Sequence, residues 1–336
     1  MSIKIAIIGA GSIGCYVGGR LAAAGADITL VGRQRIGNAI AEHGLTVTDF
    51  LGYRQQLSLS DTLRFSEQTA AATDADIALI CVKSAATESL ARELKDTLNP
   101  NAIVISLQNG LGNAAVLREY LSEQICLAGM VQFNVVNRGE GQFHQGSEGG
   151  LECEANPSML PHIPLFDRAG LGMAQPQDFL SIQWAKLLLN LNNPINALSG
   201  VPLKQELSQR DFRRCLAMAQ AEAISLLNVA GIKPAKLTPL PPHWIPKLLT
   251  VPTWMFKLLA NKMLAIDPLA RSSMWEDLEA GRRTEVDYIN GEVVALAQQL
   301  NREAPVNQRL IDLIKAAEQG GNRQWAASQL LATLKQ

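Results

Sequence analysis

The sequence lacks the features that mark several large classes of protein, and each absence narrows its function. It has no polybasic run, and 30 Lys and Arg against 31 Asp and Glu give a formal net charge of -1. Nucleic-acid binding therefore has no electrostatic support. Its five cysteines are scattered and form no CxxC pair, which is typical of reduced thiols rather than of a disulfide framework or a zinc site. We expect neither a nucleic-acid partner nor a metal.

Signals for export and for membrane insertion are missing as well. No apolar run reaches the length of about 18 residues that a membrane helix needs. The most membrane-like stretch, His243–Ile266, contains prolines and lysines that favour packed helices. Residues 1–8 already have the pattern of a first strand, which leaves no room for a signal peptide. We therefore expect a cytoplasmic protein without membrane contact.

The first half of the sequence alternates between apolar strands and helices, which predicts a parallel sheet covered on both faces. Its strands are predicted at Ile3–Ile8, Asp27–Val31, Ala75–Val82 and Ala102–Leu107, and its helices at Ser12–Ala24, Ala85–Leu98 and Ala114–Leu121. Short alternating runs at Met130–Asn137 and Gly141–Gln145 predict an antiparallel extension of this sheet.

Beyond Pro176 strand patterns vanish and helical periodicity takes over. The predicted helices are Phe179–Leu191, Gln209–Ala230, Trp254–Ala265, Met274–Ala280 and Glu285–Asn301. A chain of 336 residues exceeds what one core usually serves. We predict an α/β Rossmann-type dinucleotide-binding domain over residues 1–177 and an all-helical substrate and catalytic domain over residues 178–336.

A glycine motif follows the first predicted strand and opens the first predicted helix. Its GxGxxG spacing in this context is typical of a dinucleotide-binding turn, in which the helix N-terminus faces the pyrophosphate. The residues predicted to hold the cofactor there are Gly9, Ala10, Gly11, Ser12, Ile13 and Gly14.

The end of the second strand indicates which dinucleotide is bound. An NAD site usually places an acid there, whereas this sequence continues from Val31 through Gly32 to Arg33, with Arg35 close behind. A guanidinium binds a 2′-phosphate by charge-assisted hydrogen bonds. We therefore predict NADP(H), with Arg33 as the phosphate ligand; the alternative is that both arginines are merely solvated.

Polar residues follow two more strands of the predicted sheet. Lys83 and Ser84 come after one buried strand, and Asn109 follows the next, within the sequence QNGLG. Ligands bind at this carboxyl edge of such sheets. Asn109 can offer its amide to a cofactor or a substrate, although turn chemistry alone also accounts for both stretches.

In the second half, the sequence WAKLLLNLNNP predicts an apolar helix with few polar residues. Lys186, Asn190 and Asn193 are spaced i, i+4 and i+7, which predicts one polar line on that helix. One cation and two amides suit an anionic, oxygen-rich ligand, unless the line simply faces water.

Glu285 lies at the start of a later predicted helix. Its spacing alone favours the interpretation that it is a helix-start acid that complements the macrodipole.

Taken together, GAGSIG, VKS, QNGLG, WAKLLLN, and TEVDYINGEVV followed by PVN resemble the ketopantoate reductase (2-dehydropantoate 2-reductase) family. The motifs occur in the family's order between residue 5 and about residue 310. The resemblance implies a Rossmann-type domain and a helical carboxyl-terminal domain like that of 6-phosphogluconate dehydrogenase. It also implies hydride transfer from NADPH to the C2 ketone of 2-dehydropantoate, which gives pantoate for pantothenate and coenzyme A synthesis.

The resemblance also assigns roles to residues. It implies that Lys186 is the catalytic general acid and that Glu285 hydrogen-bonds near the lysine and the reacting hydroxyl, a role that replaces the helix-start interpretation. It implies that Arg33 and Lys83 contact the cofactor and that Asn109 contacts both cofactor and substrate. The substrate-binding residues that it implies are Asn109, Asn190, Asn193 and Ser273.

Two departures from the family pattern concern the substrate. The family has asparagine eight residues after its lysine, whereas here that position is Pro194 and Asn193 comes one residue early. The segment Leu237–Pro268 also lengthens the second domain. Reduction of a different 2-oxo acid or related carbonyl compound therefore stays open, as does a catalytically silent NADP(H)-binding or redox-sensing protein. The partner we expect is a small-molecule 2-oxo acid, and the sequence leaves a homodimer open.

Overall fold

The computed structural model describes residues 2–259 and 270–336. It divides the chain into two units, Met1–Phe179 and Leu180–Gln336, which are described in turn. The end of the predicted helix Trp254–Ala265 and the end of the apolar stretch His243–Ile266 lie outside the described residues.

The first unit is built around a seven-stranded, mostly parallel sheet. Its strands are β1 (Lys4–Ile8), β2 (Asp27–Val31), β3 (Leu45–Asp49), β4 (Arg54–Leu57), β5 (Leu63–Ser66), β6 (Ile77–Ile80), β7 (Ile103–Ser106), β8 (Ile125–Val131), β9 (Val135–Gly139), β10 (Gln142–Gln145) and β11 (Leu151–Cys153). Its helices are α1 (Ser12–Ala23), α2 (Gln34–His43), α3 (Thr87–Leu94), α4 (Asn113–Tyr120) and α5 (Ile163–Arg168). The main sheet has the order β11-β8-β7-β6-β1-β2-β5, in which β11 pairs antiparallel with β8 and the other pairs are parallel.

Both faces of this sheet are buried, as the unbroken apolar strands predict. Ile5 and Ile7 of β1 belong to one core cluster, whereas Ala6 and Ile8 belong to another. Successive side chains of a strand point to opposite faces, so each face of β1 needs its own apolar cover. Helix α1 lies in the first cluster and helices α3 and α4 in the second. The Rossmann-type class is therefore confirmed.

One predicted feature of this unit is wrong. The runs at Met130–Asn137 and Gly141–Gln145 do not extend the main sheet beyond Val131. Strands β9 and β10 form a hairpin in a second sheet of order β4-β3-β10-β9, where β10 pairs parallel with β3. The pairing partner of β10 lies about a hundred residues earlier in the chain, at Thr46–Asp49. Local alternation predicts a strand but not which sheet contains it.

The described residues of the second unit form helices and connecting loops and contain no strand. Its helices are α6 (Phe179–Asn190), α7 (Asn193–Ser199), α8 (Leu203–Ser208), α9 (Arg210–Val229), α10 (Ile245–Thr250), α11 (Thr253–Leu259), α12 (Ser273–Glu279), α13 (Asn290–Gln299), α14 (Pro305–Glu318) and α15 (Ala327–Leu334). Helix α9 contacts α7, α8, α10, α13, α14 and α15, so it is the centre of the unit. The predicted helix Glu285–Asn301 is two elements, a 3-10 turn at Val286–Tyr288 followed by α13.

No helix in residues 2–259 or 270–336 is long and apolar enough to span a membrane.

Candidate active site

The glycine motif forms the turn between β1 and α1, at the place where the chain order of the sheet reverses. Strand β1 is flanked by β2 on one side and by β6 on the other, and dinucleotides bind at the carboxyl edge beside such a switch point. Gly9 has φ +108°, and a Cβ there would lie 2.5 Å from the backbone at Cys81 and Val82. Only glycine therefore lets this turn pass so close to the end of β6.

The other two glycines of the motif have different tasks. A Cβ at Gly14 would lie 2.3 Å from the carbonyl oxygen of Gly9, so this glycine allows α1 to start directly against the turn. A Cβ at Gly11 would meet no atom within 4 Å, so the backbone there borders open space. The amides of the first turn of α1 have no intrahelical acceptors and can face an anion. The cradle therefore fits the pyrophosphate of a dinucleotide.

The loops after β6 and β7 are joined by a buried hydrogen-bond network. Asn113 donates from Nδ2 to the carbonyl oxygen of Asn109 at 2.7 Å and to Oγ of Ser84 at 3.1 Å. Ser84 donates to the same carbonyl at 2.9 Å. Thr87 donates to Oδ1 of Asn113 at 2.8 Å and accepts from Gln108 at 2.7 Å. The network holds the half-buried Asn109 beside the end of β6.

The predicted cofactor residues Arg33 and Lys83 are both exposed. Arg33 directly precedes α2, and Lys83 directly precedes the 3-10 turn Ser84–Ala86. A carboxylate that sequence reasoning missed lies near Arg33. Glu67, just beyond β5, accepts from the backbone amide of Gln34 at 3.1 Å. Because β5 pairs with β2 in parallel, an acid after β5 reaches the end of β2 although β2 itself ends without one.

Lys186 and Asn190 lie one turn apart on α6 and are both half-buried. Asn193 does not share this helix, so the predicted polar line of three residues on one helix is wrong. Helix α6 ends at Asn190, and Asn193 is the first residue of α7, with Pro194 beside it in the first turn. Proline is favoured in the first turn of a helix and cannot continue α6. Asn193 and Pro194 thus lie beyond the end of α6, in the first turn of the next helix.

The structure brings Asn193 to the segment that contains Ser273. Oγ of Ser272 donates to the carbonyl oxygen of Asn193 at 3.2 Å and accepts from the amide of Trp275 at 3.2 Å, which caps α12. Ser273 is the exposed first residue of α12. Helices α12 and α7 pack against each other. Two of the predicted substrate residues, Asn193 and Ser273, thus lie on adjoining elements although they are 80 residues apart in sequence.

Glu285 precedes the 3-10 turn Val286–Tyr288 rather than an α-helix, and its side chain caps no backbone amide of that turn. It is 7% exposed. A buried acid outside a regular helix start does not fit the macrodipole interpretation. The turn packs against α14, which packs against α7. Glu285 is therefore buried beside a turn that packs against α14, rather than exposed at a solvated helix end.

No group of three or more His, Cys, Asp or Glu side chains in the described part of the chain is arranged to hold a metal ion. The cysteine thiols are free, and burial raises the pKa of Cys81 to about 12.

The β1–α1 cradle and the helical unit that follows it define the class of the protein as a dinucleotide-binding protein with a Rossmann-type unit and a helical carboxyl-terminal unit. Models of one family match both units: "Ketopantoate reductase PanE/ApbA" matches residues 5–157, and "Ketopantoate reductase PanE/ApbA C terminal" matches residues 178–318. The chain belongs to the ketopantoate reductase family, whose members act on a C=O and CH–OH pair, and the resemblance seen in the sequence is confirmed.

Curated relatives match over nearly their whole length. The 2-dehydropantoate 2-reductase of Pyrococcus horikoshii is 28% identical over 333 residues, which cover 95% of this chain and 99% of the relative. That of Halobacterium salinarum is 28% identical over 326 residues, covering 95% of this chain and all of the relative.

Solved structures agree in fold. A PanE/ApbA family ketopantoate reductase from Ralstonia eutropha has a TM-score of 0.81 at 28% identity, covering 95% of this chain and 99% of that one. A D-mandelate dehydrogenase solved with NADH and anilino(oxo)acetate has a TM-score of 0.75 at 20% identity, covering 95% and 99%. The second likeness concerns the fold alone.

Proposed function

We propose that this protein reduces the C2 ketone of 2-dehydropantoate to the hydroxyl of pantoate with NADPH. The observation that carries the proposal is the placement of the half-buried Lys186 one turn before Asn190 on α6, in a chain whose curated relatives are 2-dehydropantoate 2-reductases. The choice of substrate follows the activity of these relatives, and Lys186 provides a proton donor suited to ketone reduction.

Lys186 acts in this proposal as the general acid. When the ketone is reduced, negative charge develops on its oxygen, and an ammonium beside that oxygen both stabilises the charge and donates the proton. The bound nicotinamide dinucleotide supplies the hydride. Glu285 hydrogen-bonds near the lysine and the new hydroxyl, and its buried position keeps its side chain in one orientation.

The remaining residues hold the two ligands. Asn190, Asn193 and Ser273 present amides and a hydroxyl to an oxygen-rich, anionic substrate, and Asn109 contacts substrate and cofactor. The contact between Ser272 and Asn193 supports this grouping, since it fixes two of the segments relative to each other.

For the cofactor, Gly9 to Gly14 cradle the pyrophosphate while Arg33 binds the 2′-phosphate and Lys83 assists. The preference for NADPH over NADH rests on the guanidinium at the start of α2. Glu67 opposes it, because its carboxylate accepts from the neighbouring amide and repels a phosphate.

A second candidate is reduction of another 2-oxo acid. The sequence departure at Pro194 favours it, since the resemblance places an asparagine there and Asn193, in the first turn of α7, comes one residue earlier. A D-mandelate dehydrogenase of the same fold was solved with anilino(oxo)acetate.

We also propose a homodimer, supported by a dimeric ketopantoate reductase from Staphylococcus aureus with a TM-score of 0.71 at 17% identity. The cytoplasm is the proposed location, which the free thiols favour.

The test is steady-state NADPH oxidation with 2-dehydropantoate beside a panel of other 2-oxo acids, with Lys186→Ala as the control. We expect kcat/KM at least tenfold higher for 2-dehydropantoate, about 1.4 kcal/mol of discrimination, and near loss of turnover in the variant. Faster reduction of another acid would select the second candidate. NADPH binding without any reduction would point to the silent binder, and normal turnover by the variant would remove Lys186 as the general acid.

A further inference from the structure

Glu206 on α8 is a buried carboxyl group that the proposed reaction does not use. It is 0% exposed. Its Oε2 accepts from Nδ2 of Asn196 at 2.7 Å and from Nδ2 of Asn192 at 3.4 Å. Among the described residues, its Oε1 has no hydrogen-bond partner. One oxygen thus accepts twice and the other not at all.

This asymmetry favours a neutral carboxylic acid. Its carbonyl oxygen accepts both hydrogen bonds, whereas its hydroxyl oxygen carries the proton and needs no donor, so that only one neutral O–H of Glu206 is left unpaired among the described residues. An ionised carboxylate would instead leave charge on a buried oxygen without any donor, which is strongly unfavourable. Burial raises the pKa of Glu206 to about 8, and the hydrogen bonds from Asn196 and Asn192 offset only part of that rise.

The groups packed around Glu206 are consistent with the neutral form. Helix α7 has no titratable side chain. On α9, the Arg213 guanidinium donates to the carbonyl oxygens of Leu207, Leu249 and Val251, and burial raises the pKa of the Cys215 thiol to about 12. The other ionisable residues of α9 are Arg210, Asp211, Arg214 and Glu222. Of these, Arg214 pairs with Asp211, Arg210 bonds Thr250, and Glu222 bonds Val306 and Asn307.

The two asparagines that donate to Glu206 lie next to the predicted substrate residues. Asn192 lies in the turn between α6 and α7, two residues after Asn190 and one before Asn193. Oδ1 of Asn196 accepts from the backbone amide of Ser272 at 2.8 Å, next to Ser273 at the start of α12. One carboxyl group therefore connects the α6–α7 turn with the α12 start.

We infer that Glu206 is a positioning residue that, as a neutral acid, holds the α6–α7 turn and the α12 start in the arrangement that binds the substrate's carboxylate. The inference rests on the proposed function in taking Asn190, Asn193 and Ser273 as substrate ligands. The neutral form of Glu206 also favours binding of an anionic substrate, since a charged carboxylate packed against these segments would repel it. Loss of the proton weakens substrate binding while the proton donor Lys186 stays in place.

The experiment compares Glu206→Gln, Glu206→Ala and the exposed control Glu303→Gln in the full-length enzyme. Glutamine keeps an uncharged side chain with one carbonyl oxygen for both amides, and alanine removes that acceptor. Between pH 6 and 9.5, KM and kcat are measured for 2-dehydropantoate, with KM for NADPH. At pH 7 we expect Glu206→Ala to raise the substrate KM at least tenfold, with kcat changed less than threefold and KM for NADPH unchanged. Glu206→Gln should stay within threefold of wild type.

The pH profile separates positioning from a merely structural role. The substrate KM of wild type and of Glu303→Gln should rise above about pH 8, whereas that of Glu206→Gln should not. An unchanged KM in Glu206→Ala, or a tenfold rise in Glu206→Gln at pH 7, would overturn the inference. If Glu206→Ala does not fold, Glu206→Gln decides the question by its substrate KM at pH 7 and by whether that KM rises above pH 8.

Thermal unfolding tests the neutral acid without any substrate. Since burial raises the pKa of Glu206 above its ordinary value of 4.5 to about 8, its contribution to stability is full below pH 4.5 and is lost as the pH rises to 8. The Tm of wild type should therefore fall relative to that of Glu206→Gln between pH 5 and 8.5. A parallel course of the two Tm values would overturn the inference. If wild type shows this fall but does not reduce 2-dehydropantoate, the proposed function fails while the neutral acid stands.

Discussion

Asn113 donates from Nδ2 to the carbonyl oxygen of Asn109 at 2.7 Å, and this contact joins the first turn of α4 to the loop after β7. The same amide reaches Ser84 in the loop after β6. A single buried side chain thus holds two neighbouring loops at the carboxyl edge of the sheet, where the cofactor is expected to lie.

Asn113→Ala should loosen this edge and reduce activity. The change removes one of the two donors to the Asn109 carbonyl, which keeps Ser84, and it leaves the Thr87 hydroxyl proton without its buried acceptor. An unsatisfied buried group of this kind costs about 1–3 kcal/mol. We expect a lower Tm and a kcat/KM reduced by roughly tenfold or more, with weaker NADPH binding. Asn101→Ala, an exposed asparagine of the same unit, is the control. Unchanged NADPH affinity in Asn113→Ala would show that the network does not position the cofactor loop.

Two of the three glycines of the motif, Gly14 and Gly11, should respond differently to alanine. At Gly14 a Cβ would lie 2.3 Å from the Gly9 carbonyl oxygen, and such overpacking costs about 1–3 kcal/mol. At Gly11 a Cβ would meet no protein atom within 4 Å. Gly14→Ala should therefore lower both Tm and cofactor affinity, whereas Gly11→Ala should retain its Tm and lose affinity alone. Calorimetry with and without NADPH distinguishes the two, and full affinity in Gly11→Ala would place the pyrophosphate elsewhere.

Arg33 and Glu67 should act in opposite directions on cofactor choice. Arg33→Ala removes the proposed charge-assisted contact with the 2′-phosphate, and such contacts contribute about 1.5–3 kcal/mol. The Kd for NADPH should therefore rise by tenfold or more while that for NADH changes less than twofold. Glu67→Gln removes a carboxylate that accepts from the Gln34 amide at 3.1 Å, and should tighten NADPH by a few-fold. Equal losses for both cofactors in Arg33→Ala would exclude it from the phosphate site.

Arg20 should be a strong stabiliser of the first unit. Its guanidinium donates to the Ala169 carbonyl at 2.7 Å and to the Tyr16 hydroxyl at 2.8 Å, and lies 3.3 Å from the Asp49 carboxylate. Removing one partner of a buried charged pair costs about 3–5 kcal/mol. Arg20→Ala should therefore lower the free energy of unfolding by several kcal/mol, measured in urea.

The control for Arg20 is Arg92→Ala, since Arg92 pairs with Glu88 at the surface in an i,i+4 arrangement. Such pairs contribute about 0.3–0.5 kcal/mol. A similar small loss in both variants would mean that the Arg20 cluster is solvated in solution.

The amino-acid sequence by itself determined the strands and helices that have strong local periodicity. The strand Asp27–Val31 and the helix start at Ser12 were predicted at the residues where they occur. An unbroken apolar strand needs cover on two faces, and a glycine motif between a strand and a helix is typical of a dinucleotide-binding turn. These features depend on neighbours in sequence, which is why they can be read without a structure.

Only the tertiary structure decided which distant residues meet. Asn196 and Ser272 are 76 residues apart in sequence, and their hydrogen bond, like the burial of Glu206, follows from how α7, α8 and α12 pack. Glu67 reaches the start of α2 only because β5 pairs with β2. The sheet that contains β10 depends in the same way on β3. Such contacts leave no periodic pattern in the sequence, because long-range packing places residues by shape and burial rather than by spacing.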